Sequence, residues 1–375
     1  MKVNIVGAGI MGLSTAWALR RRGHQVAVYD QGPIPNPQAS SVDQHRLIRY
    51  PYGAEDGYCL MVGEAYAAWE RLWRDLGRSY YIETGTLALS NGDGHWVATT
   101  RAGLTRCNVD YEVLYDTAIA DRFPFLSVDD RTWGCYLPSG GILFAGDIVA
   151  ALARHVVRAG VVLDAYTRID SVDVERAILK LANGNAISGD ALVIAAGPWT
   201  NKLLPQMEQR MTPSRQCLVY LTPPDRFAAA WQSAPMLLDN GSAIGFYAVP
   251  PRQVAGLGDY GLKIGDHRFS LQGDPDDERE AEAVEIGAVR AQCAARLRDF
   301  HDYRTVSARA CYYDVEPAEH FIVEPLSRRT WAMTGFSGHG FKFGALLGEQ
   351  VAAAVEGARP AEAVTRWAAG IRADN

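Results

Sequence analysis

The sequence predicts an α/β (α+β) chain in which one nucleotide-binding domain is assembled from three separated segments, with a second, strand-rich domain inserted in two pieces. Three observations predict it. The N-terminus reads as strand, glycine turn, helix and strand. A fully apolar run, Ala191 to Ala196 (ALVIAA), lies mid-chain, and a strand, glycine-rich turn and helix recur between Thr330 and Val355. At 375 residues the chain is long enough for two cores rather than one. The expected division gives 1–80, 141–210 and 318–375 to the nucleotide-binding domain and 81–140 and 211–317 to the inserted one.

The opening unit carries the most information. Lys2 to Val6 reads as a strand, Met11 to Arg22 as a helix, and Gln25 to Tyr29 as a second strand ending in Asp30: a βαβ unit. Between strand and helix stands Gly7-Ala8-Gly9-Ile10-Met11-Gly12, a Rossmann-like G-x-G-x-x-G. The first glycine permits a tight turn, the second lets backbone approach a pyrophosphate, and the third lets helix and strand pack closely. The N–H groups of the first helical turn, at Ile10 and Met11, and the helix dipole then hold phosphate. Asp30 lies about 20 residues on, where a carboxylate accepts hydrogen bonds from ribose hydroxyls. The glycine pattern alone is weak; strand, turn, helix, strand and acid together are not. They do not separate FAD from NAD.

Gly32 to Gln44 is rich in Pro, Ser, Asn and Gln and reads as a loop. An amphipathic helix is expected from Gly57 to Leu76. Ala191 to Ala196 reads as a buried strand ended by Gly197-Pro198. Thr330 to Thr334 is a further strand, and a helix is expected from Phe343 to Val355.

Composition excludes several classes. A formal charge of −6 offers no basic field for nucleic acid or an acidic membrane surface. The six cysteines are scattered, with no CxxC pair and no clustered histidines, so neither a disulfide framework nor a metal site is expected. Reduced thiols fit a cytoplasmic protein. Arg20, Arg21 and Arg22 follow the apolar N-terminus where a cleavage site would need small residues, and no apolar run reaches membrane-spanning length. Only five lysines occur against 32 arginines, and two of the five sit between apolar residues and glycines, in Gly261-Leu262-Lys263-Ile264-Gly265 and Gly340-Phe341-Lys342-Phe343-Gly344. A solvated surface lysine rarely has such neighbours. The glycines of Gly335 to Gly344 lead into a helix, so the turn presents N–H groups and a positive dipole end.

From Ser40 the chain runs S-S-V-D-Q-H-R-L-I-R-Y-P-Y-G, and near the end come C-Y-Y-D-V-E-P-A-E-H-F-I-V and G-F-S-G-H-G-F-K-F-G. With the N-terminal fingerprint these resemble, in order and over essentially the whole chain, the monomeric sarcosine oxidase and N-methyltryptophan oxidase family of flavoenzymes. The resemblance implies an FAD-binding domain with an inserted mixed β-sheet substrate domain, in a monomer. It implies oxidation of a secondary amino acid, N-methyl or cyclic, to an imine, with oxygen reduced to hydrogen peroxide. Cys311 falls where the family links sulfur to the flavin; a buried, inert thiol is the alternative. Arg46 matches a residue near the flavin, with Ser40 and Ser41 beside it in the same segment. Arg49 and Lys342 match residues that hold the substrate carboxylate, a task suited to the planar guanidinium. Lys263 matches a lysine over the flavin that stabilises negative charge developing on oxygen. Gly335, Gly338, Gly340 and Phe341 would aim backbone N–H groups at the N1/O2 edge of the ring. His267, Tyr247 and Tyr313 match cavity-lining positions, and Gly197 and Trp199 a flavin-contacting strand end; each of these side chains could equally be packed core. Two departures stand out. The Pro250 to Lys263 loop is longer than in typical members, and His45 replaces a threonine. Both are expected to reshape the mouth or floor of the pocket. Rival readings are a dehydrogenase passing electrons to another acceptor, a tailoring oxidase acting on a larger amine, and a non-catalytic flavin sensor.

Overall fold

Strand β1 (Lys2–Val6) is buried from Val3 to Val6, and it has a parallel neighbour on each side. A strand covered on both faces reads as a continuous apolar run rather than an alternating one. Helix α1 (Ile10–Arg21) carries the chain to β2 (Gln25–Tyr29), which pairs with β1 in register from Lys2 with Gln25 to Val6 with Tyr29. In this computed structural model residues 1–92, 94–241 and 244–372 are described. Positions 93, 242–243 and 373–375, which fall in the expected segments 81–140, 211–317 and 318–375, lie outside the described residues.

The sheet that contains β1 has six strands, in the order Ile322–Pro325, Thr330–Thr334, Ala191–Ile194, β1, β2 and Val162–Asp164. All its pairs are parallel except the outer Ile322–Pro325 with Thr330–Thr334. The start, middle and end of the chain therefore meet in one sheet. Ten successive residues of α1, Ile10 to Leu19, are buried because the helix is covered by the sheet and by the helix Gly344–Val355. A helix buried all round shows little amphipathic periodicity, as its sequence does. Gly12 is where the helix meets the glycine turn: a Cβ there would stand 1.9 Å from the Gly7 carbonyl oxygen, so only glycine fits.

An eight-stranded mixed sheet draws on two stretches of chain, 86–137 and 212–315. Its order is Arg304–Val315, Thr212–Thr222, Leu262–Asp266, Phe246–Val249, Met236–Asp239, Thr86–Asn91, Thr132–Leu137 and Glu112–Tyr115. The pair Met236–Asp239 with Thr86–Asn91 is parallel and the others antiparallel. Strand β3 (Arg46–Ile48) belongs to a separate three-stranded sheet with Gly141–Leu143 and Tyr81–Glu83, and leads directly to Arg49.

Helix α2 (Asp56–Leu76) buries Tyr58, Met61, Val62, Ala65, Trp69 and Leu72, the helical spacing expected of its apolar face. Its Trp69 donates from Nε1 to the Lys342 carbonyl at 2.6 Å, which anchors the turn that carries Lys342. That turn is a 3₁₀ segment, Phe341–Phe343, so the following α-helix begins at Gly344, one residue later than the sequence predicts. Among the described residues no helix is long and apolar enough to cross a membrane.

Candidate active site

Two cavities meet at the junction of the six-stranded and eight-stranded sheets. The first runs from the glycine turn along β2. Of the residues singled out from sequence, Gly7, Gly9, Ile10, Met11 and Asp30 line its inner end. Ser40, Ser41, Gly197, Trp199, Gly338 and Gly340 line the remainder. Gly12 is not in the wall, in keeping with its packing role, and Gly335 and Cys311 are outside it too.

The glycine turn is built rigidly. The Asp30 carboxylate accepts from Ala8 N at 2.9 Å through one oxygen, and from Gly32 N and Asn36 Nδ2, each at 3.0 Å, through the other. It therefore ties the turn to the loop after β2 while remaining in the cavity wall. Ser41 Oγ accepts from Ile10 N at 3.0 Å, and Ser40 Oγ donates to the Tyr312 carbonyl at 2.5 Å. A Cβ on Gly9 would stand 3.1 Å from Ser41 Oγ. A helix N-terminus, a cradle without side chains, a carboxylate at the end of β2 and the Arg46 guanidinium form a donor set that fits a dinucleotide. Trp199 holds its place through Nε1, which donates to Asp276 at 2.6 Å, a partner not visible in the sequence.

The second cavity, about 430 Å³, shares Arg46, Tyr313, Gly338 and Phe341 with the first. It is lined in addition by Arg49, Tyr247, Lys263, His267 and Lys342, so all the candidate catalytic residues border one space. Gly338 has φ +77°, and a Cβ there would lie 2.4 Å from the Tyr313 ring, which lets Tyr313 pack against the turn. Burial raises the Tyr247 and Tyr313 hydroxyls above the usual phenol range, so both stay protonated. Burial, with Arg49 nearby, pushes His267 down to about 4, so its imidazole is neutral at physiological pH.

Lys342 is buried and Arg49 half-buried, and both face the Tyr52 ring, at 5.3 and 4.8 Å from its centroid. Among the described residues neither has a carboxylate within ion-pair distance. Arg49 donates to the Pro51 carbonyl; Lys342 donates to Tyr52 Oη at 2.9 Å and the His339 carbonyl at 2.7 Å. Two neighbouring cations, one buried and one half-buried, without an ion-pair partner make a site that favours an anion. Tyr52 and His339, the ring and the imidazole that organise this pair, are not singled out in the sequence reading, although both lie within the quoted motifs.

Lys263 is differently placed. Its Nζ donates to Asp43 Oδ2 at 2.5 Å and to the His45 carbonyl at 3.0 Å. Asp43 also receives Arg46 Nη1 and the Tyr220 hydroxyl. Burial would raise the Asp43 carboxyl, but Lys263, Arg46 and these hydrogen bonds outweigh it and hold the group well below the usual carboxylate range. Burial and Arg46 together bring Lys263 down to about 8, against the upward pull of Asp43. The cluster therefore carries two cations and one anion. Asp43 is the residue the sequence reading missed; an isolated acid in a polar loop carries no signal of a partner more than two hundred positions away.

Two expectations need correction. His45 does not reach the pocket: it is fully buried, outside both cavity walls, between the Tyr220 and Tyr260 rings. Its Nε2 is 3.1 Å from the Gly261 carbonyl, and burial brings it down to about 3, so a neutral ring donates there. The loop from Pro250 does not form the pocket floor either. It folds as a hairpin, Arg252–Val254 with Gly258–Tyr260, away from both cavities. The two departures from the family pattern thus meet each other, and His45 braces the strand that carries Lys263. Cys311 is buried and outside both walls, two residues before Tyr313, which lines both.

The family described as FAD dependent oxidoreductase matches residues 2–354. Monomeric sarcosine oxidase from Bacillus sp. (strain NS-129) is 26% identical over 93% of this chain and 91% of its own length. N-methyl-L-tryptophan oxidase from Yersinia pestis (strain Pestoides F) is 25% identical over 93% of each. Among solved structures, NikD, an unusual amino acid oxidase essential for nikkomycin biosynthesis, superposes with a TM-score of 0.80 at 22% identity, covering 96% of this chain and 94% of that one.

Proposed function

Since this chain belongs to the FAD dependent oxidoreductase family, we propose that it oxidises a secondary amino acid, N-methyl or cyclic, to an imine, with oxygen reduced to hydrogen peroxide. The observation that carries the reading is the Arg49–Lys342 pair: a half-buried and a buried cation without an ion-pair partner among the described residues, in a cavity that shares a wall with the dinucleotide site. The sarcosine and N-methyltryptophan oxidases it resembles support the same substrate class.

FAD, when bound, accepts the two electrons that the amine gives up. Asp30, Ser41, the first turn of α1, Arg46 and the Gly338 to Phe341 turn would hold it. Arg49 and Lys342 bind the carboxylate and so fix the substrate's carbon and nitrogen relative to Arg46 and Tyr313, a positioning effect that can supply much of the catalysis. Tyr313 stands in the wall that the two cavities share, Tyr247 lines the second, and His267, uncharged, contributes shape rather than a proton. Lys263 presents its charge to the cavity where oxygen is reduced. In the net reaction the amine loses one C–H and one N–H bond, oxygen gains both protons and both electrons, and water hydrolyses the imine. Peroxide released in air on addition of such an amino acid, in equal amount to the oxygen consumed, is the expected result; oxygen consumption without peroxide would contradict it.

The proposal includes a covalent bond between Cys311 Sγ and the cofactor. It is supported by the place of Cys311 on the strand that carries Tyr313, a residue lining both cavities. Acid precipitation is expected to leave the yellow colour in the pellet of the native protein and in the supernatant of Cys311→Ser. Colour in the native supernatant would rule the bond out. A second reading, electron transfer to an acceptor other than oxygen, has one observation in its favour: Asp43 partly neutralises Lys263.

A further inference from the structure

Lys342 is held in a hydrogen-bond pattern that a neutral amine completes and an ammonium does not. His339 Nε2 lies 3.0 Å from the Glu319 carbonyl, which can only accept, so that nitrogen carries the proton. Burial, with Lys342 nearby, keeps the His339 ring well below its usual range and hence neutral, which leaves Nδ1 as an acceptor. The Tyr52 hydroxyl, 3.1 Å from Nδ1, must donate to it, and its oxygen is then free to accept. Lys342 Nζ donates to that oxygen at 2.9 Å and to the His339 carbonyl at 2.7 Å. Those are two acceptors, and a neutral amine has two N–H bonds. A third N–H would face the cavity with no protein acceptor.

The other groups around Lys342 sharpen this. Arg49, always charged, faces the same Tyr52 ring and repels an ammonium. Tyr58 from α2 and Glu55 just before it line the cavity; the Tyr58 hydroxyl accepts from Phe321 N at 2.9 Å and makes no hydrogen bond to Lys342. Glu319 and Glu55 also line the cavity, Glu319 near enough to Arg49 to act on its charge and Glu55 facing His320; neither acid is within 4 Å of Lys342. His267 and Arg268 close the opposite side, one neutral and one paired with Asp266. Burial first, and Arg49 second, hold the amine well below the usual lysine range.

We infer that Lys342 sits uncharged in the empty site and gains a proton when a carboxylate binds, so that the clamp takes up the proton the substrate's own ammonium has to lose. The inference rests on the amino-acid reading of this site. A zwitterion arrives with a carboxylate that calls for a charged Lys342 and an ammonium whose nitrogen must become neutral before it can be oxidised. One N–H bond breaks on the substrate and one forms on Lys342; no electrons move. Binding and activation of the amine become one event, and the proton need not come from or go to solvent.

A carboxylate without an amine isolates the uptake. 2-Furoate titrated calorimetrically into the FAD-loaded enzyme near pH 8, in buffers of different ionisation enthalpy, is expected to draw roughly one proton per site from the buffer. Lys342→Met is expected to bind furoate more weakly with uptake near zero, and Lys342→Arg, permanently charged, to bind it with none. Binding to the native enzyme with no proton exchange would show that Lys342 is already charged and overturn the inference alone. Uptake that persists in Lys342→Met would overturn it too, and assign the proton to His267 or His339. Failure of furoate to bind at all would remove the amino-acid reading together with the inference.

Discussion

Arg49→Met is expected to lower kcat/KM for an amino-acid substrate by roughly 10²- to 10⁴-fold, the equivalent of about 3–5 kcal/mol for loss of one partner from a buried charge pair. Arg49 is half-buried and makes no ion pair among the described residues, so its removal leaves no protein carboxylate stranded, and the fold should tolerate the change. What is lost is the planar fork that fixes two carboxylate oxygens at once. Lys342 keeps one point charge in the site, which is why some binding persists. The decisive comparison is between an amino acid and the same amine without its carboxylate. The variant should act on both with similar, low efficiency, whereas the native enzyme strongly prefers the acid. If the native enzyme does not discriminate between them, Arg49 has another task.

Lys263→Met is expected to slow the reaction with oxygen by roughly 10²- to 10³-fold, the usual loss when one preorganised charge or donor is removed from a developing anion. Reduction by substrate without oxygen should change far less. The fold should survive, because Asp43 keeps Arg46 and the Tyr220 hydroxyl as partners. Asp43→Ala, by contrast, leaves two buried cations facing each other and is expected to unfold the region or expel Lys263 from it. The native oxygen reaction should also depend on pH in a defined sense. Lys263 is brought down to about 8, so it is charged below that pH and loses its proton above it. The rate with oxygen is therefore expected to fall as pH rises through about 8, and Lys263→Met should be flat over the same range. An oxygen reaction in Lys263→Met as fast as in the native enzyme would favour a different electron acceptor.

The parts of this protein that are legible in its sequence are those whose physics is local. The glycine turn, α1 and Asp30 lie within thirty residues of one another, and each is demanded by the backbone geometry of the same turn. β1, β2 and Thr330–Thr334 fall where their apolar runs place them, and α1 and α2 start one residue earlier than expected, where Gly9 and Glu55 end the preceding turns. Lys263 and Lys342 are legible for another reason, since lysines set among apolar residues and glycines are unusual, and Arg49 is legible through a motif shared with a known family. Their partners are not legible. Asp43 meets Lys263 across 220 residues, and Tyr52 meets His339 across 287. Nothing in either short stretch of sequence records the other. His45 shows the converse: it lies in a site motif, yet tertiary packing turns it away from the cavity and onto Gly261.

The most direct test of the central claim is anaerobic mixing of the purified protein with a panel of secondary amino acids: sarcosine, N-methyltryptophan, proline, pipecolate and larger N-methylated amino acids. The flavin band near roughly 450 nm is followed, and air is then admitted. Bleaching by at least one of these compounds, with rapid return of the band and release of peroxide in air, is the predicted result. A flavin-loaded protein that none of them bleaches would leave the fold and the cofactor standing and contradict amino-acid oxidation.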